Sequence, residues 1–158
     1  MNASPIAAPL KKRRIKGVLF SLTLFLSALT GFAQMPIFKR YYIADLPGLG
    51  WLAKFYVTYT LHYISAIAFI TIAAYMVTEY LIRHRRRFRV TASGYVRAAM
   101  LAWILVSGIL LVFRNLPGYR YSPEAIVFLN FSHLGMVVFF LATAAALRLL
   151  KKKWTSPC

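Results

Sequence analysis

The sequence predicts an all-α integral membrane protein, a four-helix transmembrane bundle with both termini in the cytoplasm. Three observations predict it. First, 60% of the 158 residues are hydrophobic, 15% are charged, and Asp and Glu together number 3. A soluble domain of this size cannot cover its surface with so few acids and so many large apolar side chains. Second, the apolar residues form four long runs without period-two alternation, so helices are expected and a membrane barrel is excluded. Third, the basic residues flank those runs. Fifteen of the 20 Lys and Arg lie in or beside the N-terminal block, the segment after the second run and the C-terminal tail. By the positive-inside rule, four spans then place both ends on the cytoplasmic side. The net charge of +17 does not indicate nucleic-acid binding, because the cations form no stripe interleaved with exposed aromatics. It suits anionic lipid headgroups.

Residues 1–16 read as a basic cytoplasmic tail that ends in KKRRIK. A first helix is predicted over 17–33. Its basic start and the Ala33 near its end resemble a signal peptide, but the run is long enough to span a bilayer with its flanks. Pro36, Pro47, Gly48 and Gly50 break the next stretch into an outer loop. Tyr41, Tyr42 and Trp51 suit the headgroup belt, and Phe38, Tyr41, Tyr42 and Ile43 suggest a short interfacial segment. A second helix is predicted over 51–82, closed by RHRRRFR. At about 1.5 Å per residue it exceeds the hydrocarbon thickness, so it tilts or projects. A third is predicted over 93–113, ended by Asn115-Leu116-Pro117-Gly118. The fourth, over 124–150, has Pro123 at its start and Glu124 facing the positive helix end. Residues 151–158 form a second basic tail. No internal repeat or second domain is evident, so 1–158 reads as one transmembrane domain.

The informative residues are His62 and His133. Each sits inside an apolar helix, where a titratable ring is costly and marks a site that binds or moves something. His62 falls roughly 16 Å from the outer end of its helix and His133 roughly 14 Å from the outer end of its own. Two imidazoles at matched depth suggest one bis-histidine haem b. Zinc normally takes four ligands, and no Cys, Asp or Glu lies at this depth. The single cysteine, Cys158, excludes iron–sulfur ligation within the chain, and no Cys-x-x-Cys-His is present for covalent haem attachment. Ser65 and Ala66 share the His62 face, and Gly108 on the third helix and Gly135 near His133 also remove side-chain volume. These four are candidates for clearing a porphyrin, with ordinary close helix packing as the alternative. Arg40, Arg114 and Arg120, together with Lys39, are candidates for haem propionates or for headgroup contacts. His84, inside RHRRRFR, is expected to be solvated. Glu79 is expected to pair with Arg83, its i+4 neighbour, or to relay protons to a quinone. Asp45 is a weaker candidate for proton relay in the outer loop.

RRIKGVLFSLTLFLSALTGF at the first helix, the turn-rich outer loop, FYVTYTLHYISA at the second helix and FLNFSHLGMVVFF at the fourth carry a resemblance. The chain resembles the cytochrome b (gamma) subunits of membrane-bound formate dehydrogenases, nickel–iron hydrogenases and thiosulfate-type reductases, from about residue 14 to 150. That family holds two haems, and His62 and His133 match the ligands of one. The other pair would fall near Gly17 and Leu147, and both ligands are missing here. The resemblance therefore implies one haem, near the outer face, in a bacterial inner-membrane subunit. It also implies a periplasmic iron–sulfur or multihaem cytochrome partner and exchange with the quinone pool in a respiratory or photosynthetic-type complex. Gln34, Tyr41, Tyr42 and Asp45 are then the candidates nearest an outer quinone. The chain is expected to be an electron-transfer subunit rather than an enzyme alone. Two other readings stay open: a haem-free subunit tethering a larger complex, and a quinone-binding module fed by a neighbour.

Overall fold

The computed structural model describes residues 10–35 and 37–157, with side chains described from residue 15 onward. The expected N-terminal tail therefore lies largely outside the described residues, as do Pro36 and Cys158. The order is α1 (Leu10–Ala33), α2 (Ile37–Arg40), 3-10 turns at Ile43–Asp45 and Gly50–Ala53, and α3 (Phe55–Glu79). There follow a π turn (Tyr80–His84), β1 (Phe88–Val90), α4 (Ala92–Phe113), α5 (Pro123–Leu149) and β2 (Thr155–Pro157). Among the described residues, four helices are long and apolar enough to cross a membrane. The protein is an all-α, four-helix, multi-pass membrane protein.

Three boundaries differ from those expected. The first helix begins at Leu10 rather than residue 17, because Lys and Arg are good helix formers and extend it beyond the apolar run. The second does not begin at Trp51. Residues 50–53 form a 3-10 turn that buries Leu52, and Lys54 is extended before α3 starts at Phe55. Past Glu79 the helix widens, with the Arg85 N–H donating to the Tyr80 carbonyl. The later starts match closely. Thr91 caps α4 by accepting from the Gly94 N–H, and Ser122 caps α5 by accepting from the Ala125 N–H ahead of Pro123. Gly118, at φ 91°, supplies the left-handed residue of the turn between them.

The chain divides into two compact units, Met1–Glu79 and Tyr80–Cys158. Each is a helical hairpin, α1 against α3 in the first and α4 against α5 in the second. Both invert the pattern of a soluble protein. Large apolar side chains such as Phe25, Phe131 and Phe139 are exposed, whereas Thr30, Thr58, Ser65, Ser107 and Arg97 are buried. Lipid is the fitting solvent for such a surface, and small hydroxyl residues let helices approach closely. The buried hydroxyls are satisfied by the preceding turn: Thr30 donates to the Leu26 carbonyl at 2.6 Å, and Ser107 to that of Trp103 at 2.7 Å.

In the first hairpin, Phe20 meets Phe69 at 5.1 Å between ring centroids, and Ser27 donates to Ser65 across the helix contact. Lys16 Nζ lies 2.6 Å from both Glu79 carboxylate oxygens and 4.8 Å from the Tyr75 ring centroid. Glu79 thus has a partner on the other helix, beyond the i+4 neighbour that the intrahelical rule singles out.

In the second hairpin the C-terminal tail is not a free solvated run. β2 pairs antiparallel with β1, setting Arg89 opposite Ser156. Thr91 and Ser93 hydroxyls donate to the Lys153 carbonyl at 2.7 and 3.1 Å. Buried Arg97 donates to the Lys152 carbonyl at 3.3 Å and lies 4.3 Å from the Trp154 ring centroid. Gly94 makes this docking possible, since a Cβ there would run into the Trp154 carbonyl. Gly94→Ala is therefore expected to undock the tail at a cost of about 1–3 kcal/mol. The check is limited trypsinolysis: cleavage at residues 151–153 rises several-fold while α4 and α5 stay intact. Unchanged cleavage would show that the tail is held elsewhere.

Candidate functional site

The two histidines occupy equivalent places in their own hairpins. Thr58, His62, Ser65 and Phe69 form one stripe on α3, at the 4-3-4 spacing of a helix-packing face. Leu129, His133, Met136 and Phe140 repeat that spacing on α5. Both phenylalanines are buried.

His62 faces α1. Its Nδ1 is 2.9 Å from the Ser27 carbonyl, which can only accept, so Nδ1 carries the proton and donates. Thr30 Oγ1 lies 3.3 Å from the same nitrogen and, having given its proton to the Leu26 carbonyl, also accepts. Gly31 supports the imidazole, for a Cβ there would stand 3.1 Å from His62 Cε1. Behind the ring, Ser65 donates to the His62 carbonyl at 3.0 Å.

His133 faces α4 in the same manner. Its Nδ1 shares a hydrogen bond with Ser107 Oγ at 2.9 Å, and the same hydroxyl lies 2.7 Å from the Trp103 carbonyl. A Cβ at Gly108 would stand 3.2 Å from His133 Cε1. Thr30-Gly31 and Ser107-Gly108 are thus the same device, a hydroxyl beside Nδ1 followed by a glycine that admits the ring. The two hairpins share this local arrangement around their histidines. The hydroxyl precedes its histidine by 32 residues in one hairpin and by 26 in the other, so no fixed spacing marks the arrangement in the sequence.

With Nδ1 protonated, His62 has its lone pair on Nε2, the tautomer that ligates a metal through Nε2. Among the described residues, no three or more His, Cys, Asp or Glu gather to hold an ion. One imidazole per hairpin is too few for a protein-only metal cage, and a neutral imidazole is the donor type that a prosthetic group bringing its own ligands, such as haem, would take.

The other candidates divide. Gly108 admits the imidazole itself rather than leaving free room. Ser65 is turned into the α1–α3 contact. Ala66 is half-buried, and nothing lies within 4 Å of a Cβ built at Gly135. Arg40 ends α2 and is exposed, Arg114 caps α4 half-buried, and Arg120 is exposed beyond the turn. Tyr41, Tyr42 and Asp45 are exposed and Gln34 is half-buried. The half-buried His84 ring lies 6.2 Å from that of Phe88. Ser27, Thr30, Gly31 and Ser107 escaped sequence reading, although a hydroxyl followed by glycine in the helix before each histidine was the available signal. No family model matches the chain, and neither does any curated protein or solved structure; the two histidine half-sites are what the chain itself offers toward a function.

Proposed function

We propose that the protein is a haem b-containing membrane anchor subunit of an electron-transfer complex, holding one haem through Nε2 of His62 and Nε2 of His133. The supporting observation is the repeated half-site. Each imidazole has Nδ1 hydrogen-bonded to the preceding long helix and lies against a glycine, so its ring angle is set before any ligand arrives. When bound, the iron supplies reversible one-electron exchange. The chain orients the two donor nitrogens, and its apolar helices keep water from them and hold the local dielectric low.

In this reading the subunit lies in a bacterial inner membrane with both termini cytoplasmic. It exchanges electrons between a periplasmic iron–sulfur or multihaem cytochrome partner and the quinone pool. Arg40, Arg114 and Arg120 are the cations for the propionates. Gln34, Tyr41, Tyr42 and Asp45 are the polar groups of the loop expected on the periplasmic side, available to a quinone headgroup. A second reading is favoured by the same hydrogen bonds, since they also join α1 to α3 and α4 to α5: a haem-free tether in which the histidines serve helix packing. A reduced-minus-oxidised spectrum of the purified chain, with haem counted per polypeptide, separates the two. The expected result is a b-type α-band at one haem per chain. A count of zero leaves the tether, and a count of two requires ligands other than this pair.

A further inference from the structure

We infer that the β1–β2 ribbon and the two basic runs beside it form a folded site for anionic phospholipid, with headgroup phosphates held between the Arg85–Arg89 run and the Lys151–Lys153 run. Folding brings these runs together: the Thr91 hydroxyl meets the Lys153 carbonyl 62 residues further on. At the end of α5 the Lys152 N–H donates to the Leu147 carbonyl, and Lys151, at φ 52°, turns the chain back. The Thr91 N–H donates to the Trp154 carbonyl at 3.0 Å, and β2 then pairs with β1. On the other side, the Tyr80 hydroxyl donates to the Phe88 carbonyl at 2.9 Å, and the Arg87 N–H donates to the His84 carbonyl at 2.9 Å. These bonds fold Arg85–Arg87 into a turn ahead of β1. Val90 faces Gly94 on α4, so its strand neighbour Arg89 projects to the opposite face, beside exposed Ser156.

Arg85–Arg87, Arg89 and Lys151–Lys153 are all exposed. The one Asp or Glu of their own unit, Glu124, lies in the first turn of α5, about 38 Å along that helix from Leu149. In the other unit, Glu79 is already held by Lys16. Like charges gathered in this way repel, and a two-stranded ribbon of three residues a side is marginal by itself. An anion that bridges both runs therefore stabilises the ribbon as it binds. Position selects which anion. Leu149 and Leu150, 83% and 65% exposed, run directly into Lys151. Those leucines belong in hydrocarbon and exposed Trp154 suits the membrane interface, which sets the cations at headgroup level. A phosphate that carries acyl chains matches leucines and lysines together, whereas a nucleic acid or an acidic peptide matches the lysines alone.

The test titrates the purified full-length chain, in neutral-detergent micelles, with fluorescently labelled phosphatidylglycerol or with phosphatidylcholine of the same acyl chains. Wild type is expected to bind the anionic probe several-fold more tightly, with a preference that falls as salt rises. Neutralising either run, by Arg85→Gln with Arg86→Gln and Arg87→Gln or by Lys151→Gln with Lys152→Gln and Lys153→Gln, is expected to remove most of that preference. Gly94→Ala keeps every charge but separates the runs, since a Cβ there runs into the Trp154 carbonyl, and the preference is expected to fall with it. A second measurement needs no variant. Lipid that binds the docked tail must favour docking in return, so amide hydrogen exchange over residues 88–91 is expected to slow several-fold with phosphatidylglycerol and not with phosphatidylcholine. Equal affinity of wild type for the two probes, full preference after either run is neutralised or the tail is undocked, or exchange unchanged by the anionic lipid overturns the site. A single-stranded oligonucleotide that displaces the anionic probe at equal phosphate concentration, with the same dependence on Gly94, overturns the assignment to lipid.

Discussion

His62→Ala and His133→Ala are each expected to take the purified chain from one haem per polypeptide to none. The size of the effect follows from what each ring supplies. Removing an outer partner of a metal ligand costs roughly 10–100-fold in affinity, and removing the ligand itself costs more. Neither substitution threatens the helix, because alanine has the highest helix propensity and each histidine is only half-buried. Far-UV circular dichroism is therefore expected to match wild type while the α-band is lost. His84→Ala is the matched control. It lies in the π turn outside the repeated half-sites, and its haem count stays at the wild-type value. Unaltered absorbance in both the His62 and His133 variants would leave only the tether reading.

Gly31→Leu and Gly108→Leu are expected to remove haem without touching a ligand. A Cβ at either position already stands 3.1 or 3.2 Å from the Cε1 of the facing imidazole, tighter than ordinary van der Waals contact. A full leucine side chain forces the ring off its Nδ1 hydrogen bond, and overpacking of this kind costs about 1–3 kcal/mol in the hairpin. Both the haem count and the thermal midpoint fall. Gly17→Leu, in open space on α1, leaves both unchanged. Gly135→Leu is informative in another way. The protein puts nothing within 4 Å of that position, so haem loss there reports room used by the porphyrin rather than by the chain. Full haem retention in Gly31→Leu and Gly108→Leu would show that the glycines serve helix approach alone.

Much of the membrane architecture was legible because its signals are local. The four apolar runs, the Pro123 start and the breakers at residues 115–118 each act within one element. Helix ends were read less well where tertiary packing overrode the local pattern. The apolar run from Trp51 looks continuous, yet burying Leu52 against the loop takes residues 50–53 into a 3-10 turn. At residues 10–16 the basic block reads as a tail, although long cationic side chains are compatible with helix and α1 continues through them.

The candidate site was half legible. His62 and His133 stand out because a titratable ring in an apolar run is conspicuous without reference to any other residue. Their supporting shell is not, because Ser27, Thr30, Gly31 and Ser107 gain meaning only from the imidazole opposite.

Hydropathy, charge and the two histidines follow from the order of residues, since solvent choice and ring cost are properties of single segments. Which groups meet was decided by folding. Lys16 finds Glu79 63 residues away, the tail carbonyls find Arg97, and each imidazole finds a hydroxyl and a glycine on the preceding long helix. Spacing rules reach one or two turns along a helix, whereas these contacts cross from one helix or strand to another, where packing chooses the partner.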